Sequence, residues 1–289
     1  MAYDFEFGSS TAKGGFASED KVVEKFNNWK NDKEAQVWLK ILGCRLEDIK
    51  EVRAIGIPPQ INKEFARSLG LENDEDLQFK KADLQVQITV ILSNGVIKRE
   101  NISVKKANKN ANYNQVDKRK VDRYQKIWKF DDEIATILKL FTGEIEPVKH
   151  PDLLCKYCGM TAEELEDCRR IYLNYLKPKY LEKIIKFFSE KKFQILLDII
   201  KGRGALAAEW LMVVRYDPDK NETKWVLTNI NTALDCFQIG DVKLTKKRKA
   251  SLQLSNGIVM QRKGGTPDPT SLQFKIKPLL IFGYMDKFK

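Results

Sequence analysis

The sequence predicts a mixed α/β protein, a sheet flanked by helices with a second, β-rich subdomain behind it. Three patterns predict this. The stretch KADLQVQITVILSNGVIKRENISVKK (81–106) alternates apolar residues at Val86, Ile88, Val90, Leu92 and Val96 around SNG, the pattern of a β-hairpin. Segments 18–42, 117–141 and 161–200 carry apolar residues at helical spacing. Past Gly202 the short runs WLMVVRYD, KWVLTNI, IVMQRKG and LQFKIKPLLIF lie between turns and predict a second sheet. The chain is accordingly expected to divide into 1–145 and 146–289.

Taken in order, Val22, Val23, Phe26, Trp29, Val37, Trp38 and Ile41 form an apolar stripe behind Ser18, a plausible cap, giving one interrupted helix or two. A polar, Pro-containing connector over 56–80 leads to the hairpin. Residues 117–141 are expected to be helical, and 161–200 to hold two helices separated near Pro178. No internal repeat or low-complexity segment interrupts this order.

The turn of the hairpin decides what meets at its open end. If Ser93, Asn94 and Gly95 form a three-residue loop with Gly95 left-handed, Leu92 pairs with Val96 and Asp83 lies opposite Lys105. A two-residue Asn-Gly loop instead opposes Asp83 to Lys106. In either register a carboxylate and an ammonium meet where a metal and a phosphate can sit. The same residues also make an ordinary cross-strand ion pair.

Composition narrows the function. The 289 residues are 43% hydrophobic and 10% aromatic, which marks a globular chain. No apolar run approaches the roughly 20 residues that cross a bilayer, and MAYDFEFGSS lacks the features of a signal peptide, so a cytoplasmic protein is expected. With 51 basic and 40 acidic residues the net charge is +11, which favours a polyanionic partner. Basic residues gather in KKANKN, DKRKVDRYQK, KLTKKRKAS and QRKGG. The single histidine, His150, argues against nucleases built on paired histidines and weakens Ser/His/Asp or Cys/His schemes, whereas an Asp/Lys site needs none. His150, Cys155, Cys158 and Cys168 together could bind zinc tetrahedrally; reduced, mostly buried cysteines are the alternative.

Seven segments, TAKGGF (11–16), EAQVWL (34–39), NQVDK (114–118), YQKIWKFDD (124–132), GRGALAAEW (202–210), QRKGG (261–265) and LQFKI (272–276), together resemble the small type II restriction endonucleases that act as monomers on CG-centred four-base palindromes, most closely those recognising GCGC. The resemblance implies the PD-(D/E)XK nuclease fold, with 1–145 as catalytic subdomain and 146–289 as helical connector and β-rich DNA-recognition subdomain. It implies Mg2+-dependent hydrolysis of double-stranded DNA at a short CG-rich site, leaving 5′-phosphate ends, by a monomer or weak homodimer with a cognate DNA methyltransferase in the same system. Asp83 matches the metal-binding aspartate, Lys105 the catalytic lysine, and Glu24 an acidic residue that supports the metal.

Ser103 departs from the superfamily pattern, which has Asp or Glu there, and from the nearest relatives, which have Gln. Two apart on a strand, Ser103 and Lys105 face the same way. A hydroxyl is a weaker magnesium ligand than a carboxylate, so the site is expected to be weak, to recruit Glu24 or Glu100, or to be inactive, unless the hydroxyl holds a metal-bound water. For DNA reading the resemblance points to Asn114, Gln115, Lys118, Arg203, Gln261, Arg262, Lys263, Gln273 and Lys275, with Tyr113 as a wedge between bases. A nicking or catalytically weak subunit and a non-enzymatic DNA-binding protein are the competing readings.

Overall fold

Two short helices precede the first strand. Residues 20–27 form α1, the chain turns over 28–31, and α2 (Lys33–Ile41) restarts at Asp32, whose carboxylate accepts from the Ala35 amide and from Lys25 Nζ. The interrupted stripe is thus two helices, because a side-chain cap at Asp32 satisfies amides that would otherwise have none. The computed structural model describes residues 20–58, 61–69, 85–108, 113–217, 222–246, 250–263 and 270–288.

Among these, ten strands form two five-stranded sheets: β1 (Ile49–Ile57), β2 (Gln85–Leu92), β3 (Ile97–Asn108), β4 (Asn114–Arg119), β5 (Trp210–Asp217), β6 (Glu222–Asn229), β7 (Lys243–Leu244), β8 (Leu252–Ser255), β9 (Ile258–Arg262) and β10 (Leu272–Ile276). The first sheet has the order β1-β2-β3-β5-β6 and the second β4-β10-β9-β8-β7. In the first, all pairs are antiparallel except β3 with β5. WLMVVRYD and KWVLTNI, expected in a second sheet, are β5 and β6 of the first. A parallel pair needs a long crossover, and here it consumes everything between Asn108 and Trp210, so neighbours in the sheet are remote in sequence.

The chain forms two compact units, one of residues 1–114, 200–234 and 278–289, the other of 115–199 and 235–277. They are interleaved, rather than consecutive as a division at 145 predicts. In the first unit, Val86, Ile88 and Val90 of β2 and Ile102 and Val104 of β3 cluster with Val22, Phe26, Trp38 and Leu39 of α1 and α2. Period-two alternation places these residues on one face of the sheet, where they are nearly solvent-free.

In the second unit, residues 117–119, expected as helix, end β4; the helix is Val121–Trp128. Lys129 stops it with left-handed φ of 58°, and the Asp131 side chain caps the next helix, Asp132–Thr142. Both helices of the 161–200 region follow Pro178 rather than flank it, Pro178–Glu190 and Lys192–Lys201, because proline serves at the first helical position. Tyr124 and Trp128 stack at 4.4 Å and meet Phe274 edge-on at 5.3 and 5.4 Å. Among the described residues, no helix is long and apolar enough to cross a membrane.

Candidate active site

The β2–β3 turn has the three-residue form. Leu92 N–H donates to Val96 carbonyl oxygen at 2.8 Å, Gly95 N–H to Leu92 carbonyl oxygen at 3.0 Å, and Gly95 has φ of +86°. The ladder then runs from Ile91 opposite Ile97 to Gln85 opposite Ser103 without a shift. This is the register from which the sequence counts Asp83 opposite Lys105; Asp83 itself lies outside the described residues.

Unbroken alternation puts Ser103 and Lys105 together on the face opposite α1 and α2. Ser103 is 0% and Lys105 5% exposed, beside Leu211 and Val213 of β5. A lysine seldom lies this deep in a sheet without a role or a partner. On the same face, Gln85 Oε1 and Ser103 Oγ are both buried without a hydrogen-bond partner, while Gln85 Nε2 donates to the Leu206 carbonyl at 2.9 Å. Neutral oxygens are among the ligands that a hard divalent cation accepts, so the residues present fit such an ion.

Glu24 and Glu100 are not brought to this face. Glu24 is exposed on α1, which packs through Val22 and Phe26 on the other side of the sheet. Glu100 has the parity of Ile102 and accepts a hydrogen bond from Trp210 Nε1 at 2.8 Å. The expected zinc residues His150, Cys155, Cys158 and Cys168 are not brought together as a ligand group: among the described residues there is no group of three or more His, Cys, Asp or Glu placed to hold a metal. Cys155 and Cys168 are exposed, and Cys158 turns inward, where burial pushes its thiol up to about 11.

The proposed DNA-reading residues separate into groups. In the first unit, Asn114 Nδ2 donates to Lys106 carbonyl oxygen at 2.6 Å. Tyr113 is half-buried beside it, and Arg203 is exposed. In the second unit, Gln115 and Lys118 are half-buried on β4. On the β9–β10 ladder Gln261 lies opposite Gln273, with Lys275 two residues on, so these three share a face and Arg262 takes the other. Gln273 Nε2 donates to Arg262 carbonyl oxygen at 3.4 Å, Lys263 is half-buried, and burial lowers the pKa of Lys275.

Sequence reasoning missed what holds these groups. The Arg262 guanidinium lies 4.5 Å from the Tyr172 ring centroid and 3.6 Å from Asp167, which also binds Arg170 at 2.9 Å. Burial lowers the pKa of Arg262, and Arg170 adds to that. Beneath β4, Arg119 bridges Asp117 and Asp198 at 3.5 Å each. Gln85 was equally invisible, since a glutamine in an alternating strand looks like a solvent-facing residue until its burial is known.

The mixed sheet β1-β2-β3-β5-β6, with its one parallel pair at β3 and β5, belongs to the restriction-endonuclease-like fold. The crystal structure of restriction endonuclease MspI in complex with its cognate DNA shares that fold, with TM-score 0.56 and 13% identity over 95% of this chain and 93% of that one. No curated protein matches the sequence. Residues 75–282, more than two thirds of the chain, match the R.HinP1I restriction endonuclease family. The chain belongs to that family and is a type II site-specific deoxyribonuclease.

Proposed function

We propose that this enzyme cuts double-stranded DNA at a short CG-rich site with Mg2+, leaving 5′-phosphate and 3′-hydroxyl ends. The observation that carries the reading is Lys105, buried on the same face of the β2–β3 hairpin as Ser103 and Gln85, in a member of a restriction endonuclease family. When bound, Mg2+ supplies Lewis-acid chemistry, activating water and neutralising phosphate charge. In this reading Asp83 anchors the cation. Lys105 sets a positive charge against the phosphate oxygens, where negative charge grows as water attacks in line with the leaving 3′ oxygen. Because its surroundings exclude water, that charge is weakly screened and acts strongly on the transition state. Arg262, fastened by Asp167 and stacked on Tyr172, offers a pre-oriented fork suited to a guanine edge.

The test is Mg2+-dependent cutting of plasmid by the pure chain, with the ends sequenced. Discrete fragments are expected, and nicked circles alone would favour the nicking subunit. Lys105→Ala should keep specific binding while cleavage falls at least about 10²- to 10³-fold, as loss of a transition-state contact does. Full cutting by both Lys105→Ala and Asp83→Ala would overturn the site.

A further inference from the structure

Gln85 and Ser103 occupy one rung of the β2–β3 ladder, 1% and 0% exposed, and each carries a buried oxygen without a hydrogen-bond partner. Such orphans are rare, and each asks what fills its place. The next rung shows that the sheet can satisfy amides on this face: Gln87 Nε2 donates to Asn101 Oδ1 at 3.0 Å, and Asn101 Nδ2 to the Ala205 and Ala207 carbonyls at 3.2 Å each. Apolar residues would also have filled the rung, as Val86 and Ile102 do on the other face. Nor is the amide free to flip. A carbonyl only accepts, so the Leu206 carbonyl requires the Gln85 nitrogen and turns Oε1 away from Leu206. The rung thus presents one fixed carbonyl acceptor, Gln85 Oε1, and one hydroxyl oxygen, Ser103 Oγ, two residues before Lys105, neither of them hydrogen-bonded among the described residues.

We propose that Gln85 Oε1 and Ser103 Oγ form a paired oxygen site that faces the divalent cation of this nuclease, Gln85 supplying from β2 the second donor that a single short hydroxyl on β3 lacks. A hard cation takes such neutral oxygens when other ligands bring the charge. The proposal rests on the nuclease reading above, and its test separates the two. Mn2+, which accepts the same oxygen ligands, is titrated into the full-length protein without DNA, and free Mn2+ is read by electron paramagnetic resonance. Gln85→Leu and Ser103→Ala should each weaken Mn2+ binding roughly 10- to 100-fold. Gln85→Glu should tighten it, and Gln87→Leu, on the satisfied rung, should leave it unchanged. If Gln85→Leu fails to fold, Ser103→Ala, which removes one buried atom, decides alone. Wild-type affinity in Gln85→Leu and Ser103→Ala, with binding lost in Asp83→Ala, overturns the paired site and leaves the nuclease reading standing. Loss in the first two with full binding in Asp83→Ala supports the pair and removes Asp83 from the site. A loss in Gln87→Leu equal to that in Gln85→Leu would also overturn the proposal, since the effect would then belong to the sheet.

Discussion

Replacing Arg119 with methionine tests the charge network beneath β4. The guanidinium side chain is 9% exposed and lies 3.5 Å from Asp117 and from Asp198, both 1% exposed. Tyr124 Oη donates to Asp117 at 3.1 Å and Trp128 Nε1 to Asp198 at 2.9 Å, and the guanidinium sits 5.7 Å from the Tyr124 ring centroid. Methionine keeps much of the aliphatic stem and removes the charge, which strips two buried carboxylates of their shared cation. Breaking a buried pair in this way costs about 3–5 kcal/mol. Because Nη1 and Nη2 make ion-pair contacts rather than hydrogen bonds, about 3 kcal/mol is the expected value. Urea unfolding followed by tryptophan fluorescence should show the midpoint falling by roughly 1.5 M, for a slope of about 2 kcal/mol/M. A loss below about 1 kcal/mol, the worth of an exposed pair, would refute the claim that the network is desolvated.

Arg262→Ala should cost about 1–3 kcal/mol in binding to the cognate duplex and little on a scrambled one, measured by anisotropy at fixed salt; equal losses would make Arg262 a phosphate contact. Asp167→Ala should erode the same discrimination by unfastening the guanidinium. Burial raises the Cys158 thiol from 9.0 to about 11, so the folded state keeps a proton that the unfolded chain releases. That contribution is whole below about pH 9 and is lost as pH rises through about 11. Wild type should therefore lose stability relative to Cys158→Ala across that window, and a constant difference would refute it. Gly95→Ala meets no atom within 4 Å, so only its left-handed backbone is charged, about 1–2 kcal/mol; a much larger loss in thermal unfolding would mean that the turn packs against something.

The hairpin was legible because a period of two and one Gly-containing turn are local signals; they left two registers open, and the left-handed Gly95 with the Leu92–Val96 hydrogen bond selects the three-residue one. What failed was nonlocal. WLMVVRYD alternates in the same way whether it joins one sheet or the other, and only its parallel partner, a hundred positions earlier, decides. The cysteines misled for a related reason: CxxC spacing brings Cys155 and Cys158 close in sequence, but the end of the helix Pro151–Tyr157 sends one outward and the other into the core. Ser103 was noticed because a pattern expected a carboxylate there. Its partner Gln85 was not, since cross-strand pairing is written in two places at once.

The chain passes between its compact units at 114/115, 199/200, 234/235 and 277/278. A protein threaded in this way is inherited whole. A fragment ending at residue 145 would lack β5 and leave the 12-residue β3 with a bare edge, an invitation to aggregate. One recombination breakpoint anywhere between 115 and 277 likewise joins parts of both units from different parents. If recognition rests on the second unit, as proposed for Arg262, relatives of this enzyme should diverge in what they recognise by point substitution within it, or by paired exchange of 115–199 with 235–277, and not by the swapping of a terminal cassette.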